Sequence, residues 1–478
     1  MSDSEAAADG SDRPDLLAVL RRPQTIRVRC AAITAAVADE RSGWFRLDRT
    51  RLPEAAARVA AVTRRRYPDL RIPFHSRWRH FEAGGVDRKA ELDAKLAGLP
   101  AADRARAQFD LTVVSVLLDA GAGGDWRYAE HAAAALPASA LPAERVGRDE
   151  LLAALDQAGA GASAASPAAA PVPAPDTPAA ARYGRSEGLG VASFRAFMAG
   201  AFSSLPAEPC RVDAKALRQI DAAVLRGVFQ ASPSNPLVGL EGRAGLLARL
   251  GEALQDESRR DGTPARPALL FDRLSAGGTR RSVSAAEVLR QVLRTLGPIW
   301  TSGSQVMGVR AGDVWPHRWA GAATGAATAD EQGAGDDPVT RGWVPFHKLS
   351  QWLSYSLLEP LQWAGIEVTG LDALTGLPEY RNGGLLLDSG VIVPRQAAML
   401  QRKWKPGDEA VVEWRALTVT LLDELAELVR RELGVGAEQL PLACVLEGGT
   451  WAAGREIAAE RRAGGAPPLQ IDSDGTVF

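Results

Sequence analysis

The chain has little that would tie it to a membrane, a polyanion or an oxidising compartment. Its three cysteines, Cys30, Cys210 and Cys444, are too far apart for a metal or redox motif and read as free thiols of a reducing compartment. No run approaches ~20 uncharged apolar residues, which excludes a membrane-spanning helix. The opening MSDSEAAADGSDRP is acidic and has no apolar centre, so it does not read as a secretory signal. Neither sign of charge is in excess: the formal net charge is −2, so no general polyanion-binding surface is expected. No period of ~20–50 residues recurs, which argues against a solenoid. The expectation is a cytoplasmic protein with neither a membrane nor a nucleic-acid partner.

What is present is ordinary globular material, 46% apolar and 24% charged across 478 residues. That length suits two to four domain-sized units or one large core with insertions. Residues 1–12 read as a disordered tail. The stretch GAGASAASPAAAPVPAPDTPAAAR at 159–182 is almost pure Ala, Pro, Gly and Ser and buries too little side chain to offset its ordering entropy. It reads as a flexible linker or exposed insertion between helical parts at 13–158 and 183–478, expected to pack as one catalytic unit. GAATGAATADEQGAGDD at 321–337 reads as an exposed loop.

The remaining signals are mainly helical. LVGLEGRAGLLARLGEALQ (237–255) places Leu240, Leu247 and Leu250 on one face, with Asn235-Pro236 as its start signal. SAAEVLRQVLRTLG (284–297) repeats apolar residues at three and four and closes on Gly297. ALTVTLLDELAELVRREL (416–433) carries basic residues in its last turn, where the helix dipole favours them. FDLTVVSVLLDAGAG (109–123) is a buried helix or a strand. The fold class is mostly α, with a few short strands or hairpins.

Four stretches carry candidate chemistry. FHKLSQWLSYSLLEPLQWAG mixes His347, Lys348, Gln351 and Trp352 within a turn and a half of helix, either as core or as a pocket wall. IPFHSRWRHFEAGGVDR (72–88) gathers His75, Arg77, Arg79, His80 and Arg88 around Trp78, as a surface ion-pair cluster or an anion clamp. In VLLDAGAGGDWRYAE (116–130), Asp119 ends an apolar run and either caps the turn or faces a ligand; Asp272 in LFDRLSAGG is a weaker parallel. In GLPEYRNGGLLLDSGVIVP (376–394), Asn382-Gly383 signals a type I′ hairpin, with a strand interrupted at Asp388-Ser389-Gly390. Turn chemistry leaves Glu379, Tyr380 and Arg381 unexplained. No catalytic triad order, nucleophile elbow or zinc spacing is present.

With these strings assembled, the chain resembles the Urc/Urg uracil-catabolism proteins of fungi and bacteria, long grouped as a domain of unknown function. The matching pieces are IPFHSRWRHFEAGG, LLDAGAG, SEGLGVASFRAFMAGAFSS (186–204), FHKLSQWLSYSLLEPLQWAGI, TGLPEYRNGGLLLDSGV and GGTWAAGREIAAE (448–460). The resemblance implies a role in opening uracil by way of a ribosylated urea, ending in urea and a three-carbon product. A more remote similarity runs through VLLDAGAGGDW, GRAGLLARLGEAL, GDVW and VEWRALTVTLLDEL (412–425) to the queuosine-salvage nucleotide N-glycosylases. It implies a helical, DNA-glycosylase-like core and cleavage of a ribose–base bond. Those enzymes use an aspartate where this chain reads Phe346-His347-Lys348, so another carboxylate carries that role or the chemistry differs.

The resulting expectation is hydrolysis of an N-glycosidic bond in a small uracil-derived ribosyl compound, ribosylurea or its phosphate, without cofactor or metal. Cleaving ribose from urea passes through an oxocarbenium-like transition state, which calls for a nearby carboxylate and a proton donor for the leaving nitrogen. Asp388, Glu379, Asp119 and Asp313 are the candidate carboxylates, with His347 or Lys348 as acid or anion contact. Arg77, Arg79 or Arg381 would hold a phosphate, Trp352 or Trp126 would stack on the sugar or base, and His75 and Asn382 complete the binding set. The alternatives are a hydrolase of another ring-opened uracil intermediate and a non-catalytic scaffold or regulator.

Overall fold

Apolar residues spaced three and four apart fold into helices through most of the chain. The structure, a computed structural model, describes residues 17–119, 121–130, 181–300, 303–321 and 338–472. The acidic tail, most of the Ala/Pro-rich segment and nearly all of the 321–337 loop therefore lie outside the described residues. Ala181 and Arg182, read as the end of the linker, begin a strand.

Eleven helices of eight residues or more are described: α1 (Pro23–Ala38), α2 (Leu52–Arg66), α3 (Arg88–Lys95), α4 (Ala101–Leu117), α5 (Arg185–Met198), α6 (Leu240–Asp261), α7 (Ala285–Leu296), α8 (Lys348–Trp363), α9 (Tyr380–Asp388), α10 (Glu409–Leu433) and α11 (Trp451–Arg461). The protein is mostly α. Strands are two to four residues long and, among the described residues, occur only as two-stranded pairs. Two of these pairs aim a helix. Val314–Pro316 runs antiparallel to Trp343–Pro345 and delivers the chain to α8. Arg127–Glu130 runs antiparallel to Ala181–Gly184 and delivers it to α5.

Local chemistry explains several boundaries. The Ser284 hydroxyl accepts the Glu287 N–H at 3.2 Å, a serine cap with glutamate three residues on, which starts α7. Arg430 and Arg431 close α10 ahead of Gly434, whose left-handed φ of 71° stops the helix. The long α10 packs against α1 and α2, α8 against α4 and α7, and α9 against both α10 and α11. A single hydrophobic cluster draws on residues from Ile26 to Leu469.

Three local readings change. The ambiguous run at 109–123 is helix up to Leu117. Helix α6 begins at Leu240, not at Asn235-Pro236, because the Asn235 amide is bound to the carbonyls of Arg127 and Gln230, both at 2.8 Å. Asn382-Gly383 is not a hairpin: it lies in the first turn of α9, and Leu385 to Asp388 are helix instead of strand. A Cβ on Gly383 would sit 2.7 Å from the Trp414 ring, and one on Gly384 would sit 3.2 Å from Pro468. The glycine pair serves close packing, with no turn to make.

Such close packing is measurable. In an ordinary helix interior Gly383→Ala would gain roughly 1 kcal/mol of propensity, but here the clash with Trp414 costs about 1–3 kcal/mol. Thermal denaturation should therefore give a lower Tm for Gly383→Ala than for wild type, and a smaller change for Gly384→Ala.

Candidate functional site

Asp313 sits just ahead of the strand Val314–Pro316, and α8 starts just after the partner strand. The Phe346 N–H reaches the Asp313 carbonyl at 2.9 Å. The Asp313 carboxylate accepts the Lys348 backbone N–H at 3.0 Å, so it caps α8 from outside the helix. Both its oxygens bind Arg415 of α10, at 2.6 and 2.8 Å, and the Trp315 indole adds a third donor at 2.7 Å. Burial pushes Asp313 up, but Arg415 and the other donors hold it below the usual carboxylate range. Arg415 also donates to the Pro378 carbonyl at 3.3 Å, one residue before Glu379.

Glu379 caps α9, accepting the N–H groups of Arg381 at 2.7 Å and Asn382 at 2.6 Å. Burial raises it all the same, over the opposing pull of those N–H groups and of Lys348. Across from it the Lys348 amine makes no hydrogen bond or ion pair among the described residues. Burial pushes Lys348 down; the charges of Glu379, Asp313 and Asp119 act against that shift and Arg415 adds to it. Lys348, Glu379, Tyr380 and His80 each keep some accessible surface, although burial is the leading influence on the ionisation of all four. Partly accessible yet largely enclosed, they mark a candidate recess at the starts of α8 and α9.

A second wall is organised by Arg77, which is fully buried. Its guanidinium donates to Ser115 Oγ at 2.6 Å, Asp119 at 2.8 Å, the Ser186 carbonyl at 3.1 Å and His80 Nδ1 at 3.2 Å. It also lies 5.6 Å over the Trp352 ring, against whose face the His80 ring stands edge-on at 5.8 Å. Trp352 follows Lys348 by four residues, on the same face of α8. Arg77 Nη2 and Trp352 Nε1 are buried donors without a partner among the described residues. Burial, then Arg77, pushes His80 well below the ordinary histidine range. The ring is therefore neutral, and accepting from Arg77 at Nδ1 leaves the proton on Nε2. Backbone strain marks both approaches to the recess: Arg185 and His347, each at a helix start, hold left-handed φ values of 52° and 47°.

The structure thus brings Asp119, Arg77, Lys348, Trp352 and Glu379 together, with Asp313 behind them and Arg381 beside Glu379. The other named residues have separate engagements. Asp388, at the far end of α9, is bound through both oxygens by Arg462. His347 is buried, and its Nε2 donates to the Leu20 carbonyl at 2.9 Å. Trp126 is fully buried and binds the Phe229 carbonyl at 2.8 Å. Asn382 Nδ2 holds the Leu377 carbonyl at 3.1 Å. In the 72–88 cluster, His75 pairs with Glu447 at 2.9 Å, Arg79 with Glu359 at 2.7 Å and Arg88 with Glu130. Gln351 turns away to Thr375, and Asp272 pairs with Arg106 at 2.7 Å.

An open depression of about 870 Å³, lined by Leu70, Ile72, Pro73, Arg79 and Leu433 among others, shares only Arg79 with these residues, and that side chain is already bound to Glu359. The recess is the better chemical candidate. His80 and Tyr380, noted in the 72–88 and 376–394 stretches but given no part in the reaction, complete its surroundings together with Arg185 and Arg455, which were not among the expected site residues. The string GGTWAAGRE carries Arg455, and Arg185 stands just ahead of SEGLGV.

The family model described as "Protein of unknown function (DUF1688)" matches residues 19–155 and 154–478. "Protein urg3" of Schizosaccharomyces pombe is 34% identical over 472 residues, covering 97% of this chain and 99% of the relative. "Uracil catabolism protein 4" of Lachancea kluyveri is 33% identical over 467 residues, covering 92% and 93%.

The geometry sets two expected outcomes. Arg415→Met leaves Asp313 buried without its cation, which should cost about 3–5 kcal/mol, read as a large fall in chemical-denaturation midpoint. His80 and His347 are both pushed below the ordinary histidine range. Below ~6.5 the unfolded chain then binds more protons than the folded one, so stability is lost as pH falls through that value. A Tm series from pH 7.5 to 5 should show this decline, and it should be shallower in His80→Gln.

Proposed function

The chain belongs to the DUF1688 family, and from that membership we propose that it acts in uracil catabolism, hydrolysing the N-glycosidic bond of a uracil-derived ribosyl compound, ribosylurea or its phosphate, to release urea. A relative named for uracil catabolism covers nearly the whole chain, which supports the pathway. The observation that carries the reaction is the placement of two carboxylates about Lys348: Glu379 at the start of α9, and Asp119 held by Arg77, whose guanidinium lies over Trp352 of the same helix as Lys348.

In this reading the C1′–N bond breaks with its electron pair passing to nitrogen. Glu379, raised by burial, supplies the proton to that nitrogen, since an acid poised nearer neutrality donates efficiently. The Asp119 carboxylate, oriented by Arg77, stabilises positive charge developing at C1′. Water adds at C1′ and returns its proton to Glu379. Trp352 seats the sugar, and neutral His80 donates from Nε2 to a substrate oxygen. Asp388, committed to Arg462, has no part. This assignment also accounts for the missing aspartate at Phe346-His347-Lys348: the carboxylates come from the start of α9 and from the end of α4.

Purified protein incubated with ribosylurea and with its phosphate should release urea from at least one of them. Glu379→Gln and Asp119→Asn should each lower kcat by roughly 10²–10³-fold, with the fold intact by circular dichroism. No urea above the Glu379→Gln background from either compound overturns the proposal.

A further inference from the structure

Beside Glu379 the fold gathers three arginines that share a single weak ion pair among the described residues. Arg381 and Arg185 reach neighbouring carbonyls of one turn: Arg381 Nη1 donates to Gly465 at 2.9 Å and Arg185 Nη2 to Gly464 at 3.3 Å. Their guanidinium groups are thereby held side by side. Arg455 comes from α11, where a Cβ on Gly454 would fall on the Arg381 carbonyl, so the two helices touch at that point. Its one acidic partner among the described residues is Glu187 of α5, at 3.4 Å with both side chains over two-fifths exposed, a weak pair. Neither Arg185 nor Arg381 has a carboxylate within ion-pair distance among the described residues, and Arg381, 4% exposed, keeps a buried Nε with no partner.

Like charges brought together this way repel. After burial, the strongest influence lowering Arg185 is Arg381, with Arg455 and Arg127 adding to it. The backbone at Arg185 is also strained, with φ of 52°. A fold tolerates such an arrangement where something else supplies the negative charge, and guanidinium forks match the oxygens of a phosphomonoester bidentately. Tyr380, with the Arg381 guanidinium 4.7 Å over its ring, adds a hydroxyl at the same place.

We propose that Arg381, Arg185 and Arg455 form a phosphomonoester subsite, so that the substrate is a ribosyl compound bearing a phosphate on its sugar. This rests on the hydrolase reading above. Glu379 accepts the backbone N–H of Arg381, so a phosphate on the arginines places the sugar next to the acid. Arg381 forms the buried floor, and the more exposed Arg185 and Arg455 form the rim through which a dianion enters.

The test is isothermal calorimetry with ribose 5-phosphate, ribose and inorganic phosphate, together with urea release from ribosylurea and its phosphate. Ribose 5-phosphate should bind far more tightly than ribose, and inorganic phosphate should compete with it. The double variant Arg185→Gln/Arg455→Gln alters exposed side chains and should fold; it should weaken ribose 5-phosphate about 10–100-fold and raise KM for the phosphorylated substrate with kcat little changed. Equal binding of ribose and ribose 5-phosphate, or binding unaltered in the double variant, overturns the subsite. Tight ribose 5-phosphate binding without urea release upholds the subsite and sinks the hydrolase reading. Urea release from ribosylurea that phosphate does not inhibit does the reverse.

Discussion

The buried pair between Asp313 and Arg415 is the interaction on which the recess depends. It joins the strand hairpin ahead of α8 to the long central α10. The same carboxylate caps the backbone of Lys348, and the same guanidinium holds the carbonyl just before Glu379. The amine and the acid of the recess are thus both referenced to one ion pair of fixed bidentate geometry. Buried pairs of this kind are weak arguments for net stability, because desolvation offsets most of their attraction. Their value here is positional: the starts of two successive helices, α8 and α9, are tied to one ion pair whose members lie 102 residues apart.

Arg77 performs the equivalent task on the other side. It links the 75–80 segment to α4 through Ser115 and Asp119, to α5 through the Ser186 carbonyl and to α8 through the Trp352 ring. Four donations leave one nitrogen without a partner among the described residues, and the Trp352 indole is in the same position. Buried donors without acceptors are costly, and they recur where a ligand supplies the acceptor. Burial, with Arg77 and other cations beside it, pushes His80 down and favours its neutral form, whereas burial raises Glu379. The recess therefore pairs an acid of raised pKa with a carboxylate bound to arginine, two different environments for chemically similar groups.

Helical periodicity was legible along much of the chain because amphipathic spacing is a local property. The boundaries were less so. Asn382-Gly383 carries a strong hairpin signal, yet it is helix, since Glu379 caps the first turn and Trp414 occupies the space a larger side chain would need. The second of these causes lies far from the turn in sequence. Glu379, Lys348, Arg77 and Asp119 were legible as polar residues in apolar company. Asp388 had the same look but is neutralised by Arg462, 74 positions further along the chain.

The helical class, the family and the short list of polar motifs were legible in the chain alone, because propensity, periodicity and residue strings are carried by near neighbours. Which charges are paired and which are left over emerges only from the folded arrangement. Ion pairing depends on distances of a few ångströms between residues 102 positions apart, as for Asp313 and Arg415, or 268 apart, as for Glu187 and Arg455. Lys348, Arg185 and Arg381, with Arg455 only weakly paired, stand out once the neighbouring carboxylates have been assigned to their own partners.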